Sequence, residues 1–379
     1  MTDVYINKIT KYLPGEAISN QEMESYLGLI DDKPSKAKPI ILRNNGIKTR
    51  YYALDKNGKA THNNATLTKQ AIALLFDENF GAEDIALLST GTATPDQLLP
   101  AHASMVHGLL QTKQSIAVNT ASGICCSGMN ALNYGYLALK AGVYPNAVCT
   151  GSERVSAWLR ADKFQQEAEK LKSLEANPII AFQREFLRWM LSDGAAALLL
   201  ENKPRAGQLS LKIEFIDFYS YAHELEPCMY AGGHKQADGS LTSWMDIETS
   251  QWLEESVFSI NQDTKLLGEN ILIKGAESLV QSFQRHQLQV AAIDYILVHI
   301  SSNFFKDKLN EAFEKVGIHF QKEKWFYNLP EVGNVGSASI FIALEDLFNN
   351  TALQKGQKIL LCVPESGRFT YAVSLLTVC

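Results

Sequence analysis

Three residues of different types would together be able to carry out thioester chemistry, and the first is a cysteine. Cys126 lies in the segment ICCSGMNAL, where we expect it to begin a helix. Unpaired backbone N–H groups and the positive end of the helix dipole at such a position lower the pKa of a thiol and favour the nucleophilic thiolate. The simpler alternative is that Cys126 is a small core residue, as we expect for its neighbour Cys125.

The other two candidates are His299 and Asn334. His299 ends the apolar segment YILVH, where a single histidine is most often a hydrogen-bonded core residue. Asn334 stands between glycines in EVGNVGSAS, a context more typical of a turn or a helix cap than of catalysis. Each residue alone is weak support for an active site, so the organisation of the chain has to decide whether they meet.

A weak internal repeat supplies that organisation. The segments LTKQAIALLFDENFGAEDIALLST and GAESLVQSFQRHQLQVAAIDYILVHISS both predict a helix, a turn and a buried strand that follows an aspartate. Some forty residues after each aspartate, a turn of small residues leads into an apolar helix, at Cys126 in one copy and at Asn334 in the other. If a pseudo-twofold axis relates the copies, the starts of the two helices meet there and a strand-end loop brings His299 beside them.

We therefore predict an α/β fold made of two halves. Residues 1–205 would form the half with the nucleophile, and residues 206–379 the half with the histidine and asparagine. Residues 154–190 and 215–260 have no counterpart in the other half and are interpreted as insertions. Insertions of this kind commonly surround an active site, although dimer contacts or plain surface are equally simple interpretations.

Composition narrows the class of protein further. The chain has 379 residues with a net charge of −6, so no overall basic field favours nucleic acid or an anionic membrane as its main partner. The N-terminus has no secretory apolar run, and no segment reaches the roughly 18 apolar residues that a membrane helix needs. The six cysteines show no metal-binding spacing. We expect reduced thiols, no metal and a cytoplasmic location.

The motifs resemble those of the ketoacyl synthase III-like branch of the thiolase fold, in order and along nearly the whole chain. The segments that carry this resemblance are TATPDQLLP, ICCSGMNAL, LSDGAAALLLE, VHISSN, GNVGSASI and SGRFTYA. The resemblance implies a duplicated thiolase-like fold with helix–sheet–helix–sheet–helix layers, a Cys126–His299–Asn334 site and a homodimer. It also implies an oxyanion hole made by the backbone N–H groups of Cys126 and Arg368.

Further residues receive roles from their positions. Leu99 stands where the family has an aromatic residue that reaches into the partner's acyl pocket, and a smaller side chain there suggests room for a longer or bulkier acyl group. Glu153, in TGSERVS, is a possible base, with a surface or salt-bridged glutamate as the simpler alternative. Lys306 and Lys308 would contact an acidic acyl carrier protein, or simply form a solvated helix face.

The implied reaction is a Claisen condensation between an acyl group on Cys126 and a malonyl or β-ketoacyl thioester. Acyl carrier protein or coenzyme A would deliver the thioesters, and no cofactor is needed. The sequence departs from the usual pattern at VHISSN, and it lacks the tryptophan that stacks on coenzyme A just before Arg43. At these positions the sequence most resembles the ketosynthases that make cyclohexanedione and dialkylresorcinol precursors, within fatty-acid or polyketide biosynthesis.

Several alternatives stay open. One alternative is a standard β-ketoacyl-[acyl-carrier-protein] synthase III that initiates fatty-acid synthesis. Another is a non-catalytic partner subunit of a heteromeric ketosynthase. A degradative thiolase needs a second cysteine near the C-terminal glycine loop, which reads ESGRFT here. A cysteine hydrolase and a hydroxymethylglutaryl synthase are further possibilities.

Overall fold

The structure is a computed structural model, and it describes residues 2–30, 32–163, 186–254 and 257–379. Most of the predicted insertion at 154–190 therefore lies outside the described residues. Ten strands form one mixed sheet in the order β14-β13-β15-β16-β8-β1-β7-β6-β4-β5. These strands are β1 (Tyr5–Tyr12), β4 (Leu87–Thr92), β5 (Ala117–Ser122), β6 (Asn146–Glu153), β7 (Gly194–Glu201), β8 (Leu211–Ser220), β13 (Tyr295–Val298), β14 (Trp325–Phe326), β15 (Lys358–Glu365) and β16 (Thr370–Val378).

The sheet contains the same five-strand arrangement twice. In the first half β4 pairs in parallel with β5 and β6, while β6–β7 and β7–β1 are antiparallel. In the second half β13 pairs in parallel with β14 and β15, while β15–β16 and β16–β8 are antiparallel. The halves join where Tyr5 and Ile6 of β1 pair with Lys212 and Leu211 of β8. This repeat, together with the mixed sheet and its helices, confirms the predicted α/β fold class.

Ten α-helices accompany the sheet in the described residues. They are α1 (Met23–Leu27), α2 (Lys38–Asn45), α3 (Asn64–Ala73), α4 (His102–Leu110), α5 (Ser127–Lys140), α6 (Gln251–Glu254), α7 (Thr264–Arg285), α8 (Lys306–Lys315), α9 (Leu329–Val332) and α10 (Ser339–Asn350). Helices α3 and α4 pack on the first half of the sheet, and α7 packs on β15 and β16 of the second half. Helices α5 and α10 pack between the halves.

The alternation of side chains along the strands explains these layers. In β7, Leu198 and Leu200 enter the central cluster with α5 and α10, whereas Leu199 faces the cluster under α3 and α4. In β15, Leu361 enters the central cluster and Leu360 the cluster under α7 and α8. Successive strand residues point to opposite faces, so strands covered by helices on both sides must be apolar throughout.

The starts of the two central helices meet closely. A Cβ atom added to Gly128, in the first turn of α5, would lie 2.3 Å from the carbonyl oxygen of Ser337, just before α10. A Cβ atom on Gly151 of β6 would lie 2.5 Å from the same oxygen. The sequence places small residues here because the backbones of the two halves touch at this point.

The segment after β8 holds four short strands: β9 (Met229–Tyr230), β10 (Gly233–Lys235), β11 (Leu241–Ser243) and β12 (Asn261–Gln262). A further pair, β2 (Ile18–Ser19) and β3 (Thr49–Arg50), lies in the first half. The insertion predicted from residue 215 starts later, because the alternating segment Leu211–Ser220 is a strand of the main sheet. Within the described ranges, no helix is long and apolar enough to cross a membrane.

Candidate active site

A cavity lies between β13, β15 and β16 and the helices α7 and α8. Most of its walls are apolar, and these include Leu267, Ile271, Leu279, Val298, Leu309, Phe313, Val363 and Val373. Polar side chains reach it as well, among them Cys125, His299 and Asn334. The cavity therefore brings together a thiol, an imidazole and an amide at the edge of a space suited to an aliphatic chain.

His299 follows β13 directly, and its backbone N–H donates to the carbonyl oxygen of Cys362 at 2.9 Å. This bond continues the parallel pairing of β13 with β15 and so fixes where the side chain leaves the sheet. The residue is 5% exposed, and burial lowers the pKa of the imidazole to about 4. Among the described residues the ring has no hydrogen-bond partner, so a neutral His299 can bind a ligand in the cavity.

Asn334 is held in place by the first half of the chain. Its N–H donates to the carbonyl oxygen of Met190 at 3.1 Å, and its carbonyl oxygen accepts from the N–H of Ser192 at 2.8 Å. Its side-chain Oδ1 accepts from the N–H of Gly336 at 2.9 Å and from Ser339 Oγ at 3.4 Å. Because Oδ1 is occupied on the protein side, Nδ2 is the amide group left to donate toward the cavity.

The two adjacent cysteines have different surroundings. Cys126 caps the N-terminus of α5 as predicted, but its side chain is fully buried in the central cluster and does not line the cavity. Cys125 lines the cavity and, partly buried, also packs against the central cluster. Burial, followed by the charge of Glu365, raises the pKa of both thiols.

Glu365, which the sequence analysis did not single out, holds this turn. Its Oε2 accepts from the N–H of Cys126 at 2.8 Å and from the N–H of Ile124 at 3.0 Å. Burial raises the pKa of this carboxyl, and the two backbone donors act in the opposite direction. The Cys126 N–H, predicted as an oxyanion donor, is therefore occupied by a carboxylate. An acidic residue at the end of the apolar strand KILLCVPE was the available signal.

The predicted second oxyanion donor belongs to the turn between β15 and β16. Arg368 lies in this turn and donates its side-chain Nε to the carbonyl oxygen of Leu225 at 3.0 Å. The next residue, Phe369, is buried and adopts a left-handed φ of +54°. A bulky residue rarely adopts this conformation unless its surroundings enforce it, so the path of the turn is tightly determined.

Glu153, predicted as a possible base, does not line the cavity and is instead a buried structural carboxylate. Its Oε1 accepts from the N–H groups of Ala93 at 3.0 Å and Ser337 at 3.3 Å, and its Oε2 accepts from Thr94 Oγ1 at 2.7 Å. Burial raises the pKa of Glu153 against these bonds. Its position supports fixing the turn before α10 rather than exchanging protons with a substrate, and the alternative of a surface glutamate is also wrong.

The remaining predicted residues lie outside the cavity. Leu99 is 85% exposed, and Leu98 beside it is also exposed. At the start of α8, Lys306 donates to the hydroxyl of Tyr327 at 2.7 Å, and the ammonium of Lys308 lies 3.7 Å from the ring centre of Phe304. Both lysines are partly held by aromatic neighbours instead of extending freely into solvent.

Comparisons with known proteins agree with this fold. Residues 283–377 match the family described as 3-oxoacyl-[acyl-carrier-protein] synthase III C terminal. A β-ketoacyl-[acyl-carrier-protein] synthase III of Chlorobaculum tepidum is 25% identical over 94% of both chains, and one of Lactococcus lactis is 22% identical over 99% of both.

Solved structures give the same result at the level of the fold. The tetronic acid condensing enzyme AbyA1 superposes with a TM-score of 0.75 at 20% identity, covering 98% of this chain and 99% of that one. OleA of Xanthomonas campestris, with bound lauric acid and lauroyl-CoA, has a TM-score of 0.71 at 20% identity and 99% coverage of both chains. These similarities make this chain an acyltransferase that resembles the β-ketoacyl-[acyl-carrier-protein] synthase III enzymes and has their thiolase-like fold.

Proposed function

We propose that the protein is a ketosynthase that forms a carbon–carbon bond between an enzyme-bound acyl group and a second thioester. The observation that carries this proposal is the shared cavity, in which His299, Asn334 and Cys125 border a mostly apolar space. An acyl group would first pass to a cysteine in the turn before α5. The resemblance assigns this cysteine to Cys126, and the structure also offers Cys125.

His299 and Asn334 would act in the second half of the reaction. Both would donate a hydrogen bond to the carbonyl oxygen of the incoming thioester, and both are neutral donors. As the carbon beside that carbonyl becomes nucleophilic, negative charge grows on the oxygen, and preorganised donors stabilise it. The enolate carbon, formed when a malonyl group loses CO₂ or a β-ketoacyl group loses its α-proton, then attacks the enzyme-bound acyl carbonyl. The new C–C bond forms, the bond to the cysteine sulfur breaks, and the released thiolate is protonated to a thiol, in the β-ketoacyl case by the equivalent of the α-proton.

The cavity favours an acyl substrate with a medium or long aliphatic chain. Its apolar walls extend from the reactive residues to Leu279 and Phe313 beneath α7 and α8. We further propose a β-ketoacyl thioester as the second substrate, with ring closure to a cyclohexanedione or dialkylresorcinol precursor, on the basis of the departures at VHISSN and Leu99. Thioesters already activate both carbons, so this reaction needs no metal or redox cofactor.

The assembly and the carrier belong to the same proposal. Exposed Leu98 and Leu99, together with exposed Val118 on the edge strand β5, support a homodimer in which this face is covered. Lys306 and Lys308 follow the cavity residue Phe305 and would bind an acidic acyl carrier protein. None of the six cysteines forms a disulfide, which supports a reducing compartment such as the cytoplasm.

A second candidate is the standard ketoacyl synthase III reaction that initiates fatty-acid synthesis, which the names of the curated relatives favour. Product analysis separates the two. Purified protein would receive an octanoyl and a β-ketooctanoyl thioester of acyl carrier protein, with acetyl-CoA and malonyl thioester in a parallel reaction. Mass spectrometry that finds only linear β-ketoacyl products would reject ring formation. No condensation product in either reaction would favour the non-catalytic partner subunit.

The Asn334→Ala variant tests how the work is divided between residues. It removes the proposed donor to the second thioester, so the protein should still take up one acyl group but lose condensation by roughly 10²–10³-fold. Asn349→Ala, on the exposed face of α10, is the matched control and should keep both steps. If Asn334→Ala condenses at the unaltered rate, the proposed role of this amide is wrong.

A further inference from the structure

A β-ketoacyl thioester has to lose an α-proton before its carbon can attack the enzyme-bound acyl group, so this condensation needs a base. A malonyl thioester needs none, because the loss of CO₂ leaves the electron pair on the same carbon. Glu153 already accepts hydrogen bonds on both of its oxygens. Among the described residues, no aspartate or glutamate lines the cavity. Because His299 donates to the thioester oxygen in this reaction, a carboxylate beside the cavity is the base to be expected.

Glu365 lies beside the turn that carries the cysteines. Its Oε2 accepts from the N–H of Cys126 at 2.8 Å and from the N–H of Ile124 at 3.0 Å. Its neighbours in sequence, Pro364 and Ser366, line the cavity. An acyl group on Cys126 would have its carbonyl only a few bonds away from the N–H that Glu365 binds. The two carbons that react must approach to about 3–3.5 Å, so the carboxylate lies next to the point where the C–C bond forms.

One oxygen of this carboxylate is left for a substrate. Glu365 is 8% exposed, and among the described residues its Oε1 accepts no hydrogen bond. No cationic side chain in the described part of the chain lowers its pKa, and burial raises that pKa toward the range in which a general base works at neutral pH. A largely buried carboxylate oxygen without a donor indicates that a group from outside the chain completes the site.

We propose that Glu365 is the base that removes the α-proton of a β-ketoacyl thioester. This inference rests on the proposed ketosynthase function and on its β-ketoacyl substrate. Oε1 takes the proton, the electrons of the C–H bond form the enolate, and the enolate carbon attacks the acyl carbonyl on the cysteine. When the C–C bond has formed and the cysteine sulfur leaves, the same proton passes from Glu365 to the sulfur. The enzyme returns to its starting state with no net gain or loss of a proton.

The proton transfer also changes how Glu365 acts on the N–H of Cys126. The charged carboxylate holds this N–H in a charge-assisted hydrogen bond, about twice as strong as a neutral one, and it would repel an oxyanion nearby. Once it is protonated, Glu365 binds the N–H more weakly and no longer repels negative charge. The N–H then becomes available to the oxyanion that forms as the acyl carbonyl is attacked. Removal of the α-proton thereby prepares the turn for the next step.

Glu365→Gln tests this assignment, because glutamine keeps an acceptor for both N–H groups but cannot take up the proton. The full-length protein would be acylated by the octanoyl thioester of N-acetylcysteamine. It would then receive the β-ketooctanoyl or the malonyl thioester of acyl carrier protein, and product formation would be followed by mass spectrometry. We expect condensation with β-ketooctanoyl to fall by about 10²–10³-fold, while acyl uptake and malonyl condensation stay within roughly threefold of the wild-type rates.

Two further variants complete the experiment. Glu153→Gln is the matched control, since it replaces a buried structural carboxylate and should alter both condensations by the same factor. Glu365→Asp keeps the charge but moves the carboxylate back by one methylene. It should slow the β-ketooctanoyl reaction by about 10-fold or more and leave the malonyl reaction unaltered, so the assignment is tested without the amide variant as well.

Equal slowing of the two condensations in Glu365→Gln and in Glu365→Asp, or an unaltered β-ketooctanoyl rate, would show that Glu365 only supports the turn. A wild-type protein that condenses malonyl but not β-ketooctanoyl thioesters also overturns the inference, and it leaves the ketosynthase function standing. A wild-type protein that condenses neither thioester overturns the proposed function together with the base.

Discussion

The contact between Gly128 and Ser337 gives the most direct test of how the two halves build the site. Replacing Gly128 with alanine adds one methyl group that would lie 2.3 Å from the Ser337 carbonyl oxygen and 3.1 Å from the Phe341 ring. An ordinary contact begins near 3.4 Å. The starts of α5 and α10 must therefore separate by about 1 Å, since the obstacle is backbone on one side and a packed ring on the other.

The size of the effect follows from that displacement. Overpacking of this kind costs about 1–3 kcal/mol of unfolding free energy, against which the better helix propensity of alanine returns at most about 1 kcal/mol. The separation also moves the cysteine turn away from Asn334. A misplacement of roughly 1 Å in an active site typically lowers a rate by about 10²-fold. We expect Gly128→Ala to melt at a lower temperature and to condense far more slowly than the wild-type protein.

Gly268→Ala is the matched control, because a Cβ atom at this position of α7 meets no atom within 4 Å. Here the same chemical change should raise the unfolding free energy by about 0.5–1 kcal/mol and leave condensation unaltered. Thermal unfolding and product formation would be measured on both variants. A Gly128→Ala protein as stable and as active as Gly268→Ala would show that the two helix starts do not touch in this way.

Three further predictions concern the site itself. Glu365→Gln keeps an acceptor for the backbone N–H groups of the turn but removes a negative charge, which is the second cause, next to burial, of the raised pKa of Cys125. Alkylation of Cys125 by iodoacetamide should therefore begin at a lower pH, and an unchanged pH profile would contradict this. Burial lowers the pKa of His299 to about 4, so the unfolded chain binds more protons below pH 6.5 and stability should fall with acid. Between pH 7 and pH 5 the unfolding free energy of His299→Gln, measured with urea, should fall by about 2 kcal/mol less than that of the wild-type protein. Equal decreases in the two proteins would refute this prediction. The leucine side chain of Gly275→Leu would extend into the cavity near Tyr371 and displace about three methylenes of a long acyl chain, at about 0.8 kcal/mol each. The rate with decanoyl thioesters relative to butanoyl thioesters should therefore fall by roughly 50-fold. The control variant Gly268→Leu should leave this ratio unaltered.

The repeat and the convergence of His299 and Asn334 could be predicted from the sequence because both follow from regular elements. A buried strand fixes the position of the residue at its end, and equivalent strands in two copies bring equivalent ends together. The continuous apolar runs IALLST and YILVHI, each after an aspartate, carried that information. The predicted start of the second insertion at residue 215 was wrong because the alternating segment after Leu211 was not interpreted as a strand.

Which of the two adjacent cysteines lines the cavity could not be predicted from the sequence. The turn that contains them depends on Gly123, with a φ of +150°, and on a carboxylate from the far end of the chain. A helix N-terminus explains why a cysteine near Ser127 is useful, but it does not say which sulfur reaches the cavity. Glu153 was misjudged for a similar reason, since its donors are backbone and hydroxyl groups with no charge pattern to reveal them.

Asn334 belongs to the second half, yet the groups that hold it come from the first. Its main chain is bonded to Met190 and Ser192, and the turn that follows it rests on Glu153. The two halves can therefore no longer diverge independently, because a substitution in one half, where it contacts the other around Asn334, alters the geometry of both. A chimera that takes one half from a relative would keep all the reactive side chains but lose the contacts that orient the amide of Asn334. A functional exchange of one half therefore requires that the residues of the other half that contact it be exchanged as well.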